Sequence, residues 1–181
     1  FGVSRERVFI TGFPKSDMLF GPIPGADIGT DTDALAAIGR FKAQHPAGKV
    51  VLYAPTFRDT GGDSFLEKEE DLAVLNDACS KQNILFLFKL HPLAAKVSWQ
   101  GNNNLFFVDS QSDADPLLSF TDILVTDYSG IFFEFLLLDR PIVFFPFDYE
   151  KYVTRDRELY FPYEEITPGP KVRTLAELFD A

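Results

Sequence analysis

The chain has 181 residues, is 46% hydrophobic and 24% charged, and carries a formal net charge of −10. That length suits one domain with a real core, and the composition is ordinary for a globular protein. The acidic excess excludes general nucleic-acid binding, which needs a basic face; an anionic small ligand stays open, because a few local cations and helix ends suffice for it. The single cysteine, Cys79, excludes an internal disulfide and a cysteine cluster for zinc.

The first apolar run, Val8 to Ile10, reads as a strand. Because it lies so close to Phe1, the sequence reads as a fragment of a longer protein. Thr11-Gly-Phe-Pro-Lys-Ser-Asp17 follows as a loop, and Gly21-Pro-Ile-Pro-Gly25 as another. Asp31-Thr-Asp33 fits a helix N-terminus better than a metal-binding Asp-x-Asp, and Leu35, Ile38 and Phe41 give the helix Asp33 to Ala43 its apolar face. Val50 to Ala54 is a strand, then Thr60-Gly-Gly-Asp63 is a loop. Leu72, Leu75 and Cys79 mark the buried side of a helix over Leu66 to Gln82, where Cys79 is a small core residue.

Ile84 to Leu90 and Leu105 to Val108 are further strands. Asp113-Ala-Asp115 again fits a helix start, with Asp115-Pro116 as N-cap and first residue of a helix ending near Phe120. Ile123 to Val125 is a strand, Ile131 to Leu138 an almost wholly apolar helix, and Ile142 to Phe145 a last strand. Glu134, Asp139, Arg140, Pro141 and Pro146 break that apolar region, so it falls short of the roughly 18 apolar residues a membrane span requires. Thr167 to Pro170 is a turn, and Thr174-x-x-Glu177 is a capping box for Leu175 to Phe179.

The strands are not two-faced, so they are expected to be buried on both sides. Strand and helix alternate, which predicts an α/β domain with a Rossmann-like, doubly wound parallel sheet. Ligands in such sheets bind beyond the carboxyl ends of the strands. The loops there carry Lys15, Arg58, Lys89, His91 and the pair Ser129-Gly130 at a helix start. Backbone amides, an arginine fork and a histidine donor suit a phosphate or pyrophosphate, and glycine lets it come close. Each residue also has an ordinary reading. Ser129 caps a helix, His91 ends a strand, Arg58 pairs on the surface and Lys89 is a solvated strand side chain. Glu134, ringed by Leu, Ile and Phe, needs a partner, either a ribose diol or a structural Lys or Arg. Ser129 is no hydrolase nucleophile, because Gly-x-Ser-x-Gly would need glycine where Asp127 and Ile131 stand.

These stretches together resemble the C-terminal, nucleotide-binding half of the CDP-glycerol glycerophosphotransferase family, the teichoic acid and capsule polymerases and primases of bacteria. The matching pieces are Thr11 to Asp17, Leu52-Tyr-Ala-Pro-Thr-Phe-Arg58, Lys89-Leu-His-Pro92, Asp122-Ile-Leu-Val-Thr-Asp-Tyr-Ser129, Leu138 to Phe145, Asp148-Tyr-Glu-Lys-Tyr152 and Pro168-Gly-Pro170. The resemblance implies half of a GT-B architecture, with residues 1–181 as one nucleotide-binding domain and a tail, about 146–181, packing back across the cleft. It implies transfer of glycerol phosphate or a related polyol phosphate from a CDP ester to an acceptor hydroxyl.

On that resemblance His91 and Arg58 meet the pyrophosphate. Ser129, Gly130, Lys15, Thr126 and Asp127 line the donor site, and Glu134 meets the ribose. No metal or other cofactor is implied. The partners are a CDP-glycerol or CDP-ribitol donor and a lipid-linked or polymer acceptor. The location is the cytoplasm, at the inner face of the plasma membrane. Three departures stand out: Gly130 where the family commonly has a second serine, Lys15 where it has arginine, and Glu158 after Arg157 where it has glycine. The alternatives are a UDP-sugar-binding domain of another GT-B enzyme and a doubly wound binding module without transfer chemistry.

Overall fold

The computed structural model describes residues 2–25, 28–60, 69–92, 99 and 104–181. Five parallel strands form one sheet: β1 (Lys49–Tyr53), β2 (Ile84–Phe88), β3 (Leu105–Phe107), β4 (Ile123–Thr126) and β5 (Ile142–Phe144). Their order is β3-β2-β1-β4-β5. The chain builds outward from β1 to β3, then returns to the other side of β1 to add β4 and β5. The reversal lies between β1 and β4, and a crevice opens at the carboxyl ends of such a pair. In register, Tyr53 faces Phe88 on one side and Val125 on the other.

Helices cover both faces, as the unbroken apolar strands require. On one face α1 (Thr32–Gln44), α3 (Asp115–Leu118), α4 (Ile131–Phe135) and α6 (Tyr163–Ile166) pack Ile38, Phe41, Leu117, Leu118, Phe132, Phe135 and Tyr163 against Val50, Leu52, Leu85 and Leu124. On the other, α2 (Glu69–Gln82) and α7 (Leu175–Asp180) bring Leu72, Leu75, Cys79, Leu175 and Leu178 onto Val51, Tyr53, Phe86 and Val143. Cys79 is the core residue expected; burial pushes its thiol up to about 12.

The caps follow the local chemistry. Asp31 accepts the amides of Asp33 and Ala34 at the start of α1. Thr174 accepts the Glu177 amide, and the Glu177 carboxylate reaches back to the amide of Arg173, one residue beyond the usual box. At α3 the expectation shifts: Asp113, not Asp115, accepts the first amide, and the Asp115 side chain turns to Lys15. Helix α2 is described from Glu69; the Leu66 start and most of the Thr60 to Asp63 loop lie outside the described residues.

One expectation fails. Val8 to Ile10 forms no strand, and Ile10 is fully exposed. Three apolar residues signal burial but do not supply a neighbour, and no strand among the described residues pairs with this run. The helix expected over 131–138 is present as α4 and the tighter 3-10 turn Leu136–Leu138, with Phe133, Leu136 and Leu137 exposed. Its apolar character therefore does not mean burial on every face.

After β5 the chain returns to the sheet edge. Phe144 donates to Pro170 O and accepts from the Val172 amide, so residues 170–172 cover the sheet edge. A Cβ on Gly169 would lie 2.2 Å from Ile142 O, so only glycine fits that approach.

Candidate functional site

Two loops frame the switch-point crevice: residues 54–60 after β1, and Asp127 to Gly130 after β4. They are sewn together below it. Ala54 N donates to Val125 O at 3.0 Å, and the Thr126 hydroxyl donates to Ala54 O at 2.7 Å. Asp127 Oδ1 accepts the amides of Thr56, at 2.8 Å, and of Tyr128. Thr126 and Asp127 are 0% exposed. They join the strands and present no open atom to a ligand, contrary to the lining role expected of them. Their polar atoms, read as site chemistry in the sequence, are spent on holding two parallel strands in register past their ends.

Arg58 is also not where an open pyrophosphate fork would be. Its guanidinium is 5% exposed. Nε and Nη2 donate to the two Asp148 oxygens, each at 2.8 Å, Nη2 lies 2.8 Å from Asp127 Oδ2, and Nη1 donates to Thr56 O. The rings of Tyr128, Phe147 and Tyr152 surround it at 5.0, 5.4 and 5.1 Å. Burial alone would lower its pKa, but Asp148 and Asp127 outweigh that and hold it firmly charged. Burial pushes the Asp127 carboxyl up while Arg58 and two amides pull it down. The ion pair and the aromatic cage tie three chain segments together, a positioning role.

The tail adds to that tie. Asp156 accepts the amide and hydroxyl of Thr60, Arg157 pairs with Asp59 at 3.0 Å, and the Tyr163 hydroxyl donates to Asp127 O at 3.1 Å. Asp148, Tyr128, Phe147, Tyr152 and Tyr163 complete this network and do not stand out as site residues in the sequence. Asp148 and Tyr152 alone carry a local signal, an i, i+4 spacing that puts an acid and a tyrosine on one turn.

Three groups remain toward solvent. His91, three residues past β2, is exposed and packs against Phe57 in a tilted ring pair, centroids 4.5 Å apart and 33° between planes. The Ser129 hydroxyl lies 3.5 Å from the Ile131 amide, too long for a firm cap, so it retains hydrogen-bonding capacity. Gly130 is exposed, has right-handed helical angles, and a Cβ built on it meets nothing within 4 Å. The fold does not need glycine there.

Lys15 and Glu134 come together elsewhere on this edge. The Lys15 ammonium sits 2.7 Å from Asp115 and 2.9 Å from Glu134. Its own burial lowers its pKa, but the two carboxylates raise it further and win. The Glu134 carboxyl is pushed above its ordinary range, first by burial and then by neighbouring Asp115 against the pull of Lys15. The cluster ties the segment Pro14–Leu19 to α3 and α4. Of the two partners open to Glu134, the structure supplies the lysine. Lys89 is half-buried and donates to Ser110 O at 3.0 Å, so it braces the loop after β3 and is not a solvated strand residue.

Comparison with known proteins agrees with this architecture. A wall teichoic acid polymerase, TagF, superposes with a TM-score of 0.71 at 28% identity over 98% of this chain and 43% of TagF. A TagF variant soaked with CDPG gives 0.68 at 29% identity, over the same shares. The fold is thus of the GT-B type. Among curated relatives, the teichoic acid ribitol-phosphate polymerase TarL of Staphylococcus aureus (strain NCTC 8325) is 32% identical over all of this chain and 32% of its own length. The teichoic acid poly(glycerol phosphate) polymerase of Bacillus subtilis (strain 168) is 34% identical over 98% of this chain and 24% of its own length. The chain thus spans about a third or less of these two curated relatives. Residues 1–181 match the CDP-glycerol:poly(glycerophosphate) glycerophosphotransferase family, and the chain belongs to that family.

Proposed function

We propose that this chain holds the CDP-activated donor of a polyol-phosphate transferase that builds a bacterial wall or capsule polymer. The donor is CDP-glycerol or CDP-ribitol, and the acceptor is a hydroxyl on a lipid-linked or polymeric chain. The acceptor oxygen attacks the phosphorus next to the polyol, the bond from that phosphorus to the CMP oxygen breaks, and CMP leaves. The acceptor proton passes to a base that this chain is not assigned to supply.

In that reading the diphosphate lies across the switch-point crevice. His91 donates to it and offsets its charge, and the Ser129 hydroxyl and Gly130 amide bind it from the β4 side. No step needs a metal ion. Arg58, Thr126 and Asp127 act behind this surface, by holding the loops. Lys15 acts through its pairs with Asp115 and Glu134. The observation that carries the reading is the pairing of family membership with an exposed, unobstructed backbone at Gly130, beside a loosely held Ser129 hydroxyl.

No helix among the described residues is long and apolar enough to cross a membrane. The reading puts the protein in the cytoplasm, peripheral to the inner face of the plasma membrane, where a lipid-linked acceptor would be reached.

The test is His91→Ala titrated with CDP and with cytidine. Loss of a charge-assisted contact weakens CDP by about 1.5–3 kcal/mol and leaves cytidine unchanged. Equal losses for both ligands would remove His91 from the diphosphate.

A further inference from the structure

We infer that Phe57 is a positioning residue for His91, and that the buried Arg58 network fixes it in place. The inference rests on the reading of His91 as a diphosphate donor.

The two residues leave adjacent strands from matched positions. Tyr53 and Phe88 face each other at the ends of β1 and β2, and the Lys89 amide donates to Tyr53 O at 2.9 Å, which keeps the strands together one step further. Four residues past Tyr53 and three past Phe88, the Phe57 ring and the His91 imidazole meet. An exposed imidazole on a loop ordinarily samples several χ1 and χ2 wells. A ring in contact at 4.5 Å narrows that choice.

The ring contact can only orient His91 if Phe57 itself is fixed. Both of its neighbours are. On its amino side, Pro55 restricts the backbone, the Thr56 amide is held by Asp127 Oδ1 at 2.8 Å, and the Thr56 carbonyl accepts from Arg58. On its carboxyl side, Arg58 is locked by Asp148 and Asp127 inside three aromatic rings. The chain therefore places a half-exposed aromatic ring between two of its most firmly anchored residues. A hydrophobic side chain that served only the core would be found within it, and Phe57 belongs to neither core cluster. The network that looked in sequence like a ligand-binding fork thus reaches the ligand indirectly, through Phe57 and the imidazole it holds.

The experiment uses Phe57→Leu, Phe57→Tyr, His91→Ala and the double variant Phe57→Leu/His91→Ala. Two readouts apply: the imidazole C–H resonances of His91 without ligand, and titration with CDP and cytidine. The expected results are loss of the ring-current shift of His91 in Phe57→Leu and its retention in Phe57→Tyr. CDP binding falls about two- to tenfold in Phe57→Leu, the range an aromatic ring pair can supply. It is restored by Phe57→Tyr, and cytidine is unaffected throughout. The double variant binds CDP no worse than His91→Ala, because Phe57 acts only through the imidazole. If Phe57→Leu leaves the resonances and CDP binding unchanged while His91→Ala weakens CDP, the positioning role is overturned and the donor reading stands. If His91→Ala itself binds CDP as the parent does, the diphosphate role of His91 falls, and the inference falls with it.

Discussion

Arg58 Nη2 stands 2.8 Å from Asp127 Oδ2, and the two side chains are 5% and 0% exposed. This buried ion pair joins the loop after β1 to the loop after β4 across the point where the sheet reverses direction. Removing one partner leaves a charge in a dry setting. Arg58→Ala is expected to destabilise the chain by about 3–5 kcal/mol, read by urea unfolding. Arg58→Lys also loses stability, because a point charge cannot serve Asp148, Asp127 and Thr56 O together. A fully stable Arg58→Ala that binds CDP poorly would return Arg58 to direct ligand contact.

Glu134 is expected to behave as a partner of Lys15. Glu134→Gln leaves the Lys15–Asp115 pair in place, and the cluster is partly exposed, so the cost in stability is at most about 1 kcal/mol. Binding of CDP and of 2′,3′-dideoxy-CDP then changes by the same factor. A loss confined to CDP would show that the carboxylate uses the ribose hydroxyls after all.

Gly130 separates binding from folding. A Cβ there meets nothing within 4 Å, and the backbone angles suit any residue. Gly130→Val therefore leaves the unfolding midpoint close to that of the parent while abolishing CDP binding, because a branched side chain occupies the phosphate's space. Gly130→Ser, which keeps the amide and adds a small donor, is tolerated. Undiminished CDP binding by Gly130→Val would place the diphosphate elsewhere.

Much of the fold was legible because the strands signal it directly. Runs such as Val50 to Ala54 and Ile123 to Val125 are apolar throughout, which only a sheet covered on both faces accommodates. Val8 to Ile10 carries the same signal and pairs with nothing described, since hydrophobicity does not identify the neighbour. The positions of the candidate residues were legible, their roles less so. His91 follows β2, and Ser129 and Gly130 follow β4, all beyond the carboxyl ends of strands. Arg58, Thr126 and Asp127 are buried, because a polar side chain at a strand end serves a ligand or the strands themselves, and sequence spacing is the same for both. Phe57 lies within the matching stretch Leu52 to Arg58, but as one of 20 phenylalanines it carries no spacing signal for a role beside a ligand.

The central claim, donor binding at the switch-point crevice, is tested most directly by calorimetric titration of the chain with CDP-glycerol, CDP-ribitol, CMP and UDP-sugars, without added metal. The account predicts saturable binding of the CDP-polyols in the micromolar to millimolar range and none of the UDP-sugars. Binding of UDP-sugars with no response to CDP compounds at millimolar concentration would contradict it.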